Sequence, residues 1–463
     1  MTRPEALPLA RITLCLGALA IAACAGPERA NTPKANSTTS HPPAAAAPDT
    51  LPGSHLQAAA TGATAEASAP ATAQAKDAAE PAEPAAPAAE RQNTPPAARA
   101  PQTGDLATGE RAPTEADMHV PPIPGLEPAD HLLHPDERHF AKLWKLTSGG
   151  ENAEAYWSFA GDRLVLQRRN EQEDILCDRI FVTHPSTGAL EQVSDGRGAT
   201  TCAFFLPSDR QVVFASTGSV QADCPPPPDL AQGYVWALHP EHDLFIKDLD
   251  TGATRQVTTS WGYDAEATVA PTGDRIVFTS TRSGDLELWT CALDGSNPVQ
   301  VTDRPGYDGG AFFSHDGKRL VFRATVFDPA QEAEQIADYR RVLADWRVRP
   351  STMEIFVCDA DGSNRRQVTA LGGANWAPYF TPDDQSVLFT SNHHVGPRSR
   401  NFDIFVVGLE GGEPEPVTRY EGFDSFPMFS PNGEYLAFSS NRGGATPGET
   451  NVFIAKWRDS SRK

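Results

Sequence analysis

Long apolar runs are nearly absent from this 463-residue chain. Only Ile12 to Ala23 approaches one, and it is too short for an ordinary spanning helix, which excludes a polytopic membrane protein. Cysteine is scarce too: seven residues are too few for a disulfide-built scaffold of this length. Positive charge is in deficit, with 39 Lys and Arg against 60 Asp and Glu and a formal net charge of -21. A polyanion is repelled by phosphate backbones, so nucleic acid is not an expected partner. Hydrophobic residues reach only 39%, and 41 prolines with 36 glycines imply that part of the chain does not pack.

What the N-terminus does contain is an address. Arg3 and Arg11 precede the apolar stretch, in the order of a signal peptide. The stretch ends in Ile21-Ala22-Ala23-Cys24, which resembles a bacterial lipobox. Residues 1–23 are then a lipoprotein signal peptide, and Cys24 becomes the lipidated first residue of the mature chain. Acyl chains there tether the protein to a bilayer without spanning it. Residue 25 is Ala, not the Asp that resembles an inner-membrane retention signal. The expected location is therefore the cell envelope, lipid-anchored at the outer membrane and facing the periplasm. An ordinary cleaved signal or a short anchor helix is the plainer alternative. Residues 24–118, mostly Ala, Pro, Thr and Glu, bury too little apolar surface to offset ordering entropy and read as a disordered linker. As a random coil this segment spans roughly 50–60 Å. Residues 119–139 lead into the folded part.

From residue 140 a pattern returns six times, as SFAGDRLVL, FLPSDRQVVF, VAPTGDRIVF, FSHDGKRLVF, FTPDDQSVLF and FSPNGEYLAF. Its turn residues, Gly161, Asp209, Gly273, Gly317, Asp384 and Gly433, stand 48, 64, 44, 67 and 49 residues apart. A third strand follows each copy, as in Asp243-Leu-Phe-Ile, and a fourth ends in a pair such as Val257-Thr258 or Val301-Thr302. The unit is a four-stranded antiparallel meander, and a period near 45 with two longer intervals is that of propeller blades. The sixth copy stops after its third strand, while Leu143-Trp144-Lys145-Leu146-Thr147 matches the missing fourth. Residues 140–463 therefore read as an all-β, six-bladed propeller closed by an N-terminal strand, which removes exposed edges.

The runs FSPNGEYLAFSSNRGG (429–444) and DADGSNRRQVT (359–369) carry a family resemblance. They resemble the WD-like propeller repeats of the TolB family, which implies a six-bladed propeller working in periplasmic protein–protein contacts. No folded α/β domain precedes the propeller here, unlike in TolB itself.

The long segments, 168–177, 218–242, 323–353 and 390–402, all join second to third strands and so fall on one face, where function is expected. Nine residues before each turn stand Asn152, Thr200, Asp264, Asp308, Asn375 and Asp424. These form a ring at the channel mouth with two readings: hydrogen-bond acceptors for the loops, or a binding site for a cation, an amine or a basic peptide terminus. Ile336, Tyr339, Leu343 and Trp346 make one apolar helical stripe in the blade-4 insertion, expected to pack onto the propeller face. Cys177, Cys202 and Cys224 fall near one another on the elaborated face, with Cys202–Cys224 the favoured disulfide and Cys177 the alternative partner. No metal ligand set or cofactor motif stands out.

The expected function is a non-enzymatic, membrane-tethered scaffold that binds an envelope protein or peptide as a monomer. The chain ends within blade 6 and has no G-x-S-x-G, so a propeller-gated hydrolase is not expected. Two alternatives remain: a metal-dependent, lactonase-like hydrolase using Asp264, Asp308 and Asp424, and a small-ligand-binding propeller.

Overall fold

The computed structural model describes residues 125–226 and 234–458; the signal peptide, Cys24 and the linker of 24–118 lie outside the described residues. Six antiparallel sheets follow one another along the chain. Their innermost strands are Glu151–Trp157, Thr200–Phe205, Asp264–Val269, Asp308–Phe313, Asn375–Phe380 and Asp424–Phe429. We number the blades 1 to 6 in that order. The second strands carry continuous apolar runs, Val212-Val213-Phe214 and Leu320-Val321-Phe322 among them, because each blade is covered on both faces by its neighbours and both sides of these strands are buried.

The repeated turn has a backbone reason. Gly161, Gly273, Gly317 and Gly433 all take positive φ, and Asp209 and Asp384 adopt the same left-handed conformation at the equivalent positions. Aspartate tolerates that region when its side chain finds a local partner. Asp209 accepts from the main-chain N–H groups of Phe159 (2.7 Å) and Ala160 (2.6 Å), and Asp384 from that of His315 (3.0 Å). In both cases the carboxylate caps the turn of the preceding blade. The repeated threonine is also accounted for: Thr258 and Thr418 accept from the N–H of Leu244 and Ile404 and donate to Asp243 and Asp403, tying fourth strand to third.

Blade 6 takes its fourth strand from the N-terminal side, where Phe140–Lys145 pairs with Asn451–Trp457. A short fifth strand, Glu127–Pro128, lies outside it. Beneath the seam Arg442 pairs with Glu137 (2.9 Å) and Asp424 (2.6 Å), all three side chains fully buried.

The insertions meet across the channel. Trp236–Ala237 from blade 2 pairs with Arg347–Val348 from blade 4 in a separate two-stranded sheet. A helix, Glu332–Leu343, precedes the second of these strands; Tyr339, Leu343 and Trp346 pack against the core, and the Tyr339 hydroxyl donates to Asp285 (2.5 Å).

Candidate functional site

The six ring residues do occupy equivalent places, at or beside the start of each innermost strand. They are not an open binding ring. All are buried, and each is engaged by neighbouring groups. Asp264 pairs with Arg282 (2.8 Å), Asp308 with Arg365 (2.7 Å) and Asp424 with Arg442 (2.6 Å). Asn152 accepts from Arg168 (2.7 Å) and donates to the Thr450 carbonyl, Asn375 donates to the Met353 carbonyl, and Thr200 donates to that of Asp178. Each ring aspartate thus carries an arginine. Among the described residues, no three metal-ligating side chains are placed to hold an ion.

The surface that lines the channel lies two residues further along. Every innermost strand bulges there, and Glu154, Cys202, Glu266, Gly310, Ala377 and Phe426 all take φ between 46° and 60°. The bulge aims these six at a common cavity of about 120 Å³. Tyr156, Phe204, Phe312 and Tyr379 pack edge to face or tilted beneath it and form a floor. Above, Trp236 of the insertion stacks on Trp376 with ring centroids 5.0 Å apart. The insertion thereby reaches over the channel and roofs part of it.

Its charges are unequally matched. Arg323 pairs with Glu266, donates to the Tyr307 hydroxyl (2.5 Å), and lies over the rings of Trp236 and Tyr307. Burial raises the Glu266 carboxyl, yet Arg323 and the hydrogen bonds of Thr279 and Tyr307 hold it below its ordinary range. Among the described residues Glu154 makes no ion pair, although the field of Arg323 reaches it. Burial pushes its carboxyl up to about 7, and the Cys202 thiol bonds to it. Asp178 is also raised by burial to about 7 and makes no ion pair among the described residues, although the fields of Arg169 and Arg179 reach it. His242 is held neutral by burial, its pKa lowered to about 3.

The disulfide joins Cys177 to Cys224, with Cα atoms 5.8 Å apart, and not Cys202 to Cys224. The bulge explains the difference, because it turns Cys202 inward to the chamber, whereas Cys177 begins the third strand of blade 1 beside the insertion carrying Cys224. Replacing both Cys177 and Cys224 with alanine is expected to destabilise the fold by about 3–4 kcal/mol from loop entropy alone. Thermal melts of the variant beside the oxidised wild type measure it. An unchanged midpoint counts against a structural bridge.

Sequence reasoning missed the inner ring. One signal was present: Arg323 and Glu266 are charged residues in the interior of core strands, which requires a buried partner. His393 bonds to Ser391 (2.8 Å) and His394 pairs with Asp403 (2.9 Å).

Together these features define the class: a six-bladed β-propeller whose own insertions reach over its channel. No protein-family model matches the chain. Among solved structures the propeller is similar to TolB from Acinetobacter baumannii, at 15% identity over 63% of this chain and 63% of that one, with a TM-score of 0.43. It is also similar to an oligogalacturonate lyase from Vibrio parahaemolyticus, at 12% identity over 73% and 98% of the two chains (TM-score 0.43). A gluconolactonase from Xanthomonas campestris is similar at 14% identity over 73% and 99% (TM-score 0.46). These likenesses are of fold.

Proposed function

We propose that the chain is a non-catalytic scaffold, tethered at the cell envelope through Cys24, that binds a protein or peptide on its elaborated face. The observation that supports this is where large apolar side chains stay in water. Among the described residues six do so, and five of them, Leu176, Val220, Tyr234, Trp261 and Val395, lie in insertions or interblade loops of that face. Val299, on an outer strand, is the sixth. Apolar side chains exposed on one face are what a docking surface offers a partner. Trp261, 73% exposed, stands edge-on to Trp346 after the insertion helix, and such rigid aromatic anchors dominate interface energies.

In-cell crosslinking followed by pull-down tests this. A variant with Leu176, Trp261 and Val395 all changed to serine should lose at least tenfold of the captured partner, while Val299→Ser captures as wild type does. Equal capture by the triple variant removes the elaborated face as the binding surface.

A further inference from the structure

The chamber is built beyond what a docking face needs. It is walled by Trp236, Trp376, Tyr263 and Tyr307, and two carboxylates that make no ion pair among the described residues, Glu154 and Asp178, look into it. An independent observation points the same way. His242 also lines the chamber, only 4% exposed, and among the described residues no group meets either ring nitrogen at full hydrogen-bond geometry, although the main chain of Ala199 and His239 lies near it. The indole N–H of Trp376 is likewise unbonded. Buried polar groups without partners call for an explanation, and where they line a cavity a bound molecule can supply the partner.

We propose that this chamber binds a small organic ammonium ion, held by the Glu154 and Asp178 carboxylates and by the aromatic walls. The lining selects the sign of the ligand. Arg323 is already neutralised by Glu266, so the uncompensated charge is negative. A neutral imidazole at His242 offers a lone pair to an ammonium N–H, and aromatic faces attract cations at close range. Apolar walls favour an organic cation over a hydrated metal ion. A cavity of about 150 Å³ accepts a benzene ring, so this one suits about five or six non-hydrogen atoms.

The pH dependence follows from the groups that face each carboxylate. Glu154 is met by Cys202, Glu266, Arg323 and Asp178; Asp178 is met by Arg169, Glu151 and Arg179. His242 is met by His239 and stays neutral. The carboxyls must ionise to hold the cation, so affinity rises with pH through the neutral range.

The test is equilibrium dialysis and calorimetry of the full chain with n-butylammonium chloride, using sodium butyrate and n-butanol as matched probes. Tryptophan fluorescence provides a second readout through Trp236 and Trp376. Butylammonium is expected to bind at pH 8 and the other two not to. Its affinity should fall between about tenfold and a hundredfold between pH 8 and pH 6, as one or both of two groups with a pKa near 7 go from mostly ionised to mostly protonated. Glu154→Gln should weaken binding at least tenfold at pH 8 and leave only the shallower pH dependence of Asp178. Binding that does not distinguish the three probes, or that survives Glu154→Gln, overturns the proposal, as does no binding after dialysis to equilibrium. The serine variant of the outer face should bind butylammonium unchanged, so failure of this site and failure of the docking face are separate results.

Discussion

Changing Arg442 to alanine is expected to lower stability by about 3–5 kcal/mol, the usual cost of removing one partner from a buried ion pair. The magnitude follows from geometry. Arg442 is fully buried and bridges two carboxylates from distant parts of the chain, Asp424 at the start of the last blade's inner strand and Glu137 ahead of the closing strand. Alanine leaves both carboxylates buried without a cation and also withdraws the guanidinium from the rings of Tyr420 and Phe438. Arg442→Met combined with Asp424→Asn and Glu137→Gln should recover most of the loss, since the penalty lies in the stranded charges more than in the lost attraction. Urea midpoints measure both. If the single variant melts like wild type, the seam is not held in this way.

Glu154→Gln should act in the opposite direction, and only at high pH. Its carboxyl is raised by burial from an ordinary value of 4.5 to about 7. Between those values the native state holds a proton that the unfolded chain has released. The associated stability is therefore complete below about pH 4.5 and is lost as pH rises through 7. The span corresponds to roughly 3 kcal/mol at pH 8, which an isosteric neutral amide restores. Asp178 and Asp403, both also raised by burial to about 7, add to the wild-type decline. Comparing the two proteins at pH 4 and pH 8 isolates Glu154: the midpoints should coincide in acid and separate in mild alkali. A destabilised Gln variant at pH 8 means that the carboxylate has a partner in the chamber that the structure does not show.

The blades were legible in the sequence because their turns demand particular backbone conformations, and Gly and Asp at fixed spacing report them. The closing strand was legible because its Val-Thr counterpart in other blades binds the third strand through a hydroxyl, a role Thr147 plays toward Val452. The inner ring was not, for the opposite reason. Its six positions share a left-handed backbone but hold Glu, Cys, Glu, Gly, Ala and Phe, so only Glu recurs and no shared residue type marks them. The bulge also breaks the two-residue alternation that would have aimed side chains correctly, which is how the ring of Asp264, Asp308 and Asp424 came to be read as channel-facing. The roof was hidden by distance. Trp236–Ala237 and Arg347–Val348 are two-residue strands from insertions of different blades, with no local pattern to mark their pairing.

The seam imposes an order on synthesis. Glu137 and Arg442 are 305 residues apart, and the strand Phe140–Lys145 has no lasting partner until Asn451–Trp457 has been made. Throughout that interval Phe140, Leu143 and Trp144, all buried in the finished ring, face solvent on a strand with a free edge. Contacts of such long range make folding slow and leave the nascent chain open to association with itself. The same joint that leaves the mature propeller without an open side makes its earliest-made segment the last to be protected.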